Sequence, residues 1–157
     1  NIKKIKNYKQ EKLGELIRPS GYFNQKAERL KLMAEFLDKN KIKNLEKLET
    51  TKLRNMLLEL KGVGPETADS ILLYAFKKPI FVIDTYTKRI FSRIGLIKEG
   101  TYEYFQEAFH KNLKQNFIVF NEYHALIIEL AKNNCKVKPF CEDCILRKEC
   151  KNKIKNN

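Results

Sequence analysis

The chain has 157 residues, 43% of them hydrophobic, enough to bury a core as one domain or as a main domain with a small appendage. Lysine and arginine total 32 against 19 acidic residues, and the net charge of +13 favours a polyanionic partner, most simply nucleic acid. No apolar run approaches the ~18 residues of a membrane-spanning helix and no signal-peptide pattern is present, so we expect an intracellular, cytoplasmic protein with no membrane partner.

The N-terminal third is predicted to contain two helices separated by a loop with aromatic side chains. The first helix covers residues 11–17 and ends at the breaker cluster R-P-S-G at 18–21. The second has one apolar stripe, formed by Leu30, Met33, Ala34 and Leu37. Tyr22 and Phe23 lie between the two helices, and the local pattern does not decide whether their rings cap the helical core or extend from the surface.

Two predicted helices flank a glycine turn at residues 62–64 and form the central motif of the sequence. Their apolar stripes consist of Leu53, Met56, Leu57 and Leu60, and of Ala68, Ile71, Leu72 and Ala75. Gly62 and Gly64 permit a left-handed turn and the close approach of another backbone, and Pro65 suits the start of a helix that we expect to end at residue 76. The unpaired amides at that start favour an anion such as phosphate; a hairpin packed for stability alone is the alternative.

The region after the hairpin is predicted to be a buried connector followed by three helices. Residues 80–83 form an apolar run, which in a helical chain favours an extended connector over a lone strand. Asp84 is placed to cap a helix that ends near residue 96, and further helices are expected at 102–109 and 117–131. His110 and His124 are too isolated to form a site, and His124, within an apolar helix, is expected in or near the core.

All four cysteines lie near the C-terminus with the spacing C-x5-C-x2-C-x5-C, at Cys135, Cys141, Cys144 and Cys150. Four thiols within sixteen residues of an intracellular basic protein indicate a metal site rather than disulfides. The spacing allows tetrahedral zinc or a four-iron cluster. The basic side chains around the site, which would present a positive surface to phosphates, are Lys136, Lys138, Arg147, Lys148 and Lys151.

The order and spacing of these motifs resemble the helix-hairpin-helix (HhH-GPD) DNA glycosylases of the endonuclease III superfamily. The shared features are G-Y-F-N-Q-K-A at 21–27, L-K-G-V-G-P-E-T-A at 60–68, V-I-D-T at 82–85 and the four cysteines. The resemblance implies an all-α fold, a partial helical barrel with a C-terminal iron–sulfur cluster loop. Residues 1–133 would form the helical domain, with the hairpin at 53–76, and residues 134–157 the cluster loop and basic tail. Family members carry further helices before this point, so we expect the chain to be an N-terminally incomplete fragment.

The resemblance also implies an enzyme of base excision repair that acts on damaged double-stranded DNA as a monomer associated with the nucleoid. Asp84 would be the catalytic carboxylate, which stabilises an oxocarbenium-like sugar and orients or deprotonates the attacking water. The residues implied to bind DNA are Gly62, Val63, Gly64 and Thr67 in the hairpin, with Lys26 and Tyr22, whose ring would wedge into the duplex. The implied cofactors are a [4Fe–4S] cluster, with zinc as the alternative, and a monovalent cation at the hairpin. The family more often has six residues in the first cysteine gap, where this chain has five.

Glu66 is the informative departure from the family pattern. Bifunctional members have a lysine at this position, whose amine attacks the sugar and later cleaves the strand, and a carboxylate cannot form a Schiff base. We therefore predict a monofunctional glycosylase. Glu66 would either favour the helix dipole or, with Tyr86, line a pocket for uracil or a cationic alkylated purine. The alternatives are a bifunctional glycosylase/AP lyase of endonuclease III type that uses another lysine, and a non-catalytic helix-hairpin-helix DNA-binding module.

Overall fold

The computed structural model describes residues 1–151, which contain helices and no β-strand, as the predicted all-α fold requires. The chain forms two compact units, Asn1–Gly64 and the part that begins at Pro65. The predicted division into residues 1–133 and 134–157 stays a prediction, and residues 152–157 of the basic tail lie outside the described residues. No helix among the described residues is long and apolar enough to cross a membrane.

The first unit contains five helices and one 3₁₀ turn among its described residues. They are α1 (Ile2–Asn7), α2 (Gln10–Leu16), the 3₁₀ turn (Arg18–Ser20), α3 (Phe23–Asn40), α4 (Ile42–Leu45) and α5 (Thr50–Leu58). Helix α3 packs against both α1 and α2. Its two buried residues, Ala27 and Ala34, are two turns apart on one face, and their small side chains allow neighbouring helices to approach closely.

The second unit contains four α-helices and one π-helical segment as far as residue 151, where the described part of the chain ends. They are α6 (Pro65–Ser70), the π-helical segment (Ile71–Ala75), α7 (Thr85–Ile94), α8 (Tyr102–Asn112) and α9 (Phe117–Asn133). The core lies around Phe81, whose ring stacks on Phe109 with centroids 3.9 Å apart and meets the edge of Phe120 at 5.3 Å. Phe81 belongs to the run at 80–83, which is buried and has no regular secondary structure, so the predicted extended connector is confirmed.

One face of α8 supplies the hydrogen bonds that a neighbouring strand would otherwise give to the connector. The Phe81 amide donates to His110 Nε2 (3.0 Å), the Phe81 carbonyl accepts from Gln106 (2.6 Å), and the Ile83 amide donates to the Tyr102 hydroxyl (3.2 Å). Tyr102, Gln106 and His110 are four residues apart, so they share one helix face.

Asp69 of α6 anchors this face of α8. The carboxylate is fully buried, and its Oδ2 accepts hydrogen bonds from the Tyr102 hydroxyl and from Gln106, each at 2.8 Å. The same two side chains therefore bind the connector backbone and the carboxylate of the helix that follows the glycine turn. This network determines where the connector ends, at Asp84.

The second hairpin helix departs from the predicted regular α-helix at residues 65–76. After Ser70 it widens into a π-helix, and the Phe76 amide donates to the carbonyl of Ile71, five residues back. Because the widened turn shifts the side-chain register, Leu73 becomes buried whereas Ala75 of the predicted stripe is exposed. Tyr74 is also carried by this segment.

Replacing Gln106 tests the contribution of the α8 face to stability. Gln106→Ala removes a donor from the buried Asp69 carboxylate and from the Phe81 carbonyl, so we expect the free energy of unfolding to fall by about 1–3 kcal/mol. The matched control is Gln115→Ala, an exposed glutamine between α8 and α9, which should change it by less than about 0.5 kcal/mol. Urea unfolding of both variants makes the comparison, and equal losses would contradict the proposed network.

Candidate active site

Asp84 ends the connector and is the N-cap of α7. Its Oδ1 accepts hydrogen bonds from the Thr87 amide (2.7 Å) and the Thr87 hydroxyl (2.8 Å), so one carboxylate oxygen is fixed by the first turn of the helix. The predicted capping role is confirmed. Thr87 was not singled out from the sequence, although the residue three positions after a capping aspartate is one whose amide such a cap accepts from.

The second carboxylate oxygen of Asp84 faces His124 of α9. Oδ2 lies 3.5 Å from His124 Nε2, and the two side chains are 12% and 5% exposed. Burial opposes ionisation of this carboxyl, but the interactions with His124 and Thr87 outweigh it, so the pKa of Asp84 is lowered from its ordinary value. The group is therefore a carboxylate at neutral pH, held in a nearly closed environment.

His124 also contacts Tyr74 of the π-helical segment. The Tyr74 hydroxyl forms a hydrogen bond with His124 Nδ1, and Nε2 has no hydrogen bond within normal distance among the described residues. His124 is buried, as the sequence predicted, but it is not isolated, because Asp84 and Tyr74 lie beside its two ring nitrogens. Forty residues separate it from Asp84, and no local pattern reports a contact made only when α9 packs against α7.

Glu66 and Thr67 lie in the first turn of α6, and both are exposed. Tyr86, the other predicted pocket residue, is half-buried in the first turn of α7, and the guanidinium of Arg89 lies over its ring at 5.0 Å. One face of the Tyr86 ring is therefore already covered by a cation, so a stacked base would use the other face. The assignment of these residues to a base pocket stays a prediction.

The two hairpin glycines differ in what the fold requires of them. Gly62 has a positive φ of 83°, and a Cβ there would lie 2.3 Å from Nε of Arg29. Gly64 has no positive φ, and a Cβ there would meet no atom within 4 Å. The prediction that both glycines serve a left-handed turn is therefore correct for Gly62 and wrong for Gly64. Folding does not require glycine at position 64.

Tyr22 is 82% exposed and adopts a left-handed conformation, with φ 47° and ψ 34°. The alternative that this ring caps the core does not hold, and it is the half-buried Phe23 that packs, beneath the guanidinium of Arg18. A non-glycine residue in this conformation costs about 1–2 kcal/mol, a strain often retained at functional positions. Lys26 is exposed, and its amine donates to the Ser20 carbonyl at 2.5 Å, so it holds the Tyr22 loop.

The four cysteines line one cavity of about 650 Å³. Arginines of α7 hold the start of this loop: Arg89 donates to the Cys135 carbonyl at 2.8 Å, and Arg93 donates to the Lys136 carbonyl at 2.6 Å. Arg93 also donates to the Cys135 sulfur at 3.4 Å. Within residues 1–151, no three His, Cys, Asp or Glu side chains are close enough together to hold a single metal ion.

Comparison with known proteins decides the family. The model of the HhH-GPD superfamily of base excision DNA repair proteins matches residues 1–115. The chain belongs to this superfamily. A protein of Methanocaldococcus jannaschii named "Putative DNA repair glycosylase" is 46% identical over 155 residues, which cover 96% of this chain and 70% of that protein. Endonuclease III of Thermotoga maritima is 35% identical over 144 residues, 90% of this chain and 64% of the relative.

Solved structures of the superfamily give the same fold. The 3-methyladenine DNA glycosylase of H. pylori, bound to 1,N6-ethenoadenine, matches with a TM-score of 0.74 and 32% identity over 84% of this chain and 67% of that one. A non-covalent endonuclease III–DNA complex matches with a TM-score of 0.80 over 96% of this chain and 68% of that one, at 23% identity. The predicted resemblance is confirmed, and the HhH-GPD chain is by family a DNA N-glycosylase that spans about two thirds of the length of these relatives.

Proposed function

We propose that the whole protein is a monofunctional DNA glycosylase that hydrolyses the N-glycosidic bond of a damaged base flipped out of duplex DNA. The observation that carries the proposal is the environment of Asp84. One of its oxygens is fixed by Thr87, the other faces His124, and the side chain is 12% exposed. A rigid, ionised carboxylate with little water around it is suited to stabilising positive charge that develops on a sugar.

The proposed reaction uses the negative charge of the Asp84 carboxylate. As the C1′–N bond breaks, the base leaves with the bonding electrons and the sugar acquires oxocarbenium character, which the Asp84 carboxylate stabilises. Water then adds its hydroxyl to C1′, with the carboxylate orienting the water. The proton of this water passes to solvent when the base is a cationic alkylated purine, which departs neutral, and to the departing anion when the base is uracil. The product is an abasic site on an intact strand.

Glu66 supports the monofunctional assignment. It lies at the position where the bifunctional members carry the lyase lysine, and its carboxylate cannot form a covalent imine with the sugar. Lys61, which precedes the hairpin, pairs with Glu28 at 2.6 Å, so its amine is engaged in the first unit. These two features favour hydrolysis over strand cleavage.

An alkylated purine is the substrate that we favour, with uracil as the alternative. The similarity to the H. pylori enzyme, which acts on 3-methyladenine, supports a purine with an altered ring. Purine nucleotides alkylated at N3 or N7 are cationic, and the carboxylate of Glu66, exposed at the start of α6, would favour such a base over a neutral one.

We assign a role in DNA binding to residues whose conformation or exposure the fold does not explain. Gly64 has open space where a side chain would stand, and Tyr22 is held exposed in a strained conformation. The five basic residues of the cysteine loop are all exposed, so they are available to phosphates. A hairpin backbone that approaches a phosphate group closely would need the space that Gly64 leaves.

We further propose that Cys135, Cys141, Cys144 and Cys150 hold a [4Fe–4S] cluster. Four thiols that line one cavity, with an arginine beside the first of them, fit the donor set of such a cluster. When bound, the cluster supplies a covalent cross-link of the loop between α9 and the C-terminus. Zinc, which the spacing also allows, is the alternative.

Asp84→Asn tests the catalytic assignment, because asparagine is an equally good N-cap but carries no charge. Duplexes containing 3-methyladenine, 7-methylguanine, 1,N6-ethenoadenine, uracil, thymine glycol or 8-oxoguanine would be incubated with the full-length protein and assayed with and without alkali. We expect strand breaks only after alkali, and a loss of about 100-fold or more in the variant with stability nearly unchanged.

Asp38→Asn is the matched control, since it makes the same chemical change on α3 in the first unit. Breaks without alkali would overturn the monofunctional assignment. Unchanged base release by Asp84→Asn would remove Asp84 from the chemistry, and no release from any duplex by the wild-type protein would favour a DNA-binding module.

Gly64→Ala tests whether the open space at the hairpin serves DNA. Alanine fits the backbone, so the free energy of unfolding should stay the same or rise by up to about 1 kcal/mol, whereas affinity for undamaged duplex should fall because the methyl group meets the DNA backbone. Gly62→Ala is the comparison, and it should destabilise the fold because of its positive φ. Fluorescence anisotropy and urea unfolding measure both quantities; unchanged affinity in Gly64→Ala would contradict the assignment.

Cys144→Ser tests the cluster. We expect the full-length wild-type protein to contain about four iron and four sulfide per chain, and the variant to lose most of both together with thermal stability. Ile145→Ser, at the neighbouring and largely exposed position, introduces the same residue and should keep the iron. Elemental analysis that finds one zinc and no iron would overturn the cluster in favour of the alternative.

A further inference from the structure

His124 is a buried polar side chain for which neither the fold nor the superfamily assignment supplies a role. Its side chain is 5% exposed, within a helix that is otherwise apolar, and burying an imidazole there costs free energy unless both nitrogens have partners. One partner is the Tyr74 hydroxyl at Nδ1. The group facing the other nitrogen is Asp84 Oδ2, at 3.5 Å from Nε2.

The chemistry of the three groups selects one arrangement of protons. An ionised carboxylate only accepts hydrogen bonds, so the imidazole nitrogen that faces Asp84 must carry a proton. In a neutral imidazole the other nitrogen, Nδ1, is then an acceptor, and the Tyr74 hydroxyl donates to it. All donors point in one direction, from Tyr74 to His124 and from His124 to Asp84.

We infer that His124 is a positioning residue for Asp84, fixed by Tyr74 as the Nε2–H tautomer, and that its N–H orients the Oδ2 oxygen that meets the developing charge on the sugar. The inference rests on the proposed function, because it assigns the reaction to Asp84. The 3.5 Å separation is long for a hydrogen bond, as such contacts often are before substrate binds, and a small inward movement of either side chain would close it.

The surroundings are consistent with this direction of donation. Burial and the charge of Asp84 raise the pKa of Tyr74, so its phenol keeps the proton that it donates. The Phe81 ring and the imidazole are nearly perpendicular, with centroids 6.3 Å apart. The groups that face Asp84 are His124 from α9, Tyr74 from the π-helical segment and Thr87 from its own helix.

The π-helical segment explains how Tyr74 reaches this position. The widened turn rotates the side chains that follow Ser70 relative to their directions in a regular α-helix, and Tyr74 is one of them. Tyr74 is still 46% exposed, so the far end of the three-residue chain remains open to solvent while Asp84 and His124 are nearly closed to it.

The test is the pH dependence of base release under single-turnover conditions, with three substitutions in the full-length protein. His124→Leu removes the N–H, so we expect the rate at neutral pH to fall by about tenfold or more. The acid limb of the pH–rate profile, where the rate falls as Asp84 is protonated, should move upward by about one pH unit, because ionised Asp84 loses a hydrogen-bond donor. His124→Gln retains an amide donor at the same reach and should recover part of both changes. Tyr74→Phe keeps the ring but removes the hydroxyl that fixes the His124 tautomer. It should change the rate and the acid limb in the same direction as His124→Leu, by a smaller amount.

Phe120→Leu provides the structural control, since it disturbs a buried residue one turn earlier on the same helix without touching Asp84. It should lower the thermal stability and leave the acid limb unmoved. If His124→Leu behaves like Phe120→Leu, the positioning role is overturned and His124 is only a core residue.

Two NMR measurements on the protein without DNA keep the inference separate from the proposed function. The ¹⁵N shifts of His124 should show a protonated Nε2 and an unprotonated Nδ1, and the carboxyl titration of Asp84 should move upward in His124→Leu. The opposite tautomer, or an unmoved Asp84 titration, would overturn the inference even where Asp84→Asn abolishes base release. If instead Asp84→Asn leaves base release intact, the proposed function fails whatever the NMR result.

Discussion

The second unit of this protein depends on the burial of an extended segment within a helical core. Residues 80–83 expose almost no surface, so their amides and carbonyls must find partners without a sheet. A single face of α8 provides three of these partners, through side chains that repeat every four residues. Asp69 ties that face to α6. The constraint is severe because any unpaired polar group here would cost ~1–3 kcal/mol.

The geometry of the candidate active site is a consequence of this constraint. Asp84 is the residue at which the buried segment ends and α7 begins. Its side chain therefore caps the N-terminus of α7 and lies at the positive end of that helix's dipole. Under the proposed function, the structural and chemical roles of Asp84 coincide, since a capping carboxylate is rigid and ionised, as a group that stabilises a cationic sugar must be. Its second oxygen is left for a partner from another helix, and α9 supplies His124 there.

We propose that other features of the chain serve DNA and a cofactor rather than folding. Gly64 occupies a place where any small residue would fit, and Tyr22 keeps a strained conformation with its ring in solvent. The cysteines surround a cavity instead of packing together, and the basic residues beside them are exposed. A fold selected only for stability would fill the cavity and relax Tyr22.

The sequence by itself determined the helical class, the glycine turn, the buried connector, the cap at Asp84 and the clustering of the cysteines. Each of these is encoded within a few residues, by apolar periodicity, by glycine, or by a polar residue placed before a helix. It did not determine the π-helical turn after Ser70, the different requirements at Gly62 and Gly64, or the exposure of Tyr22. Only the tertiary structure decided that His124 meets Asp84 and that Tyr102, Gln106 and His110 complete the connector. Those contacts join residues 19 to 40 positions apart, and their partners are selected by how helices pack, a distance at which local patterns carry no information.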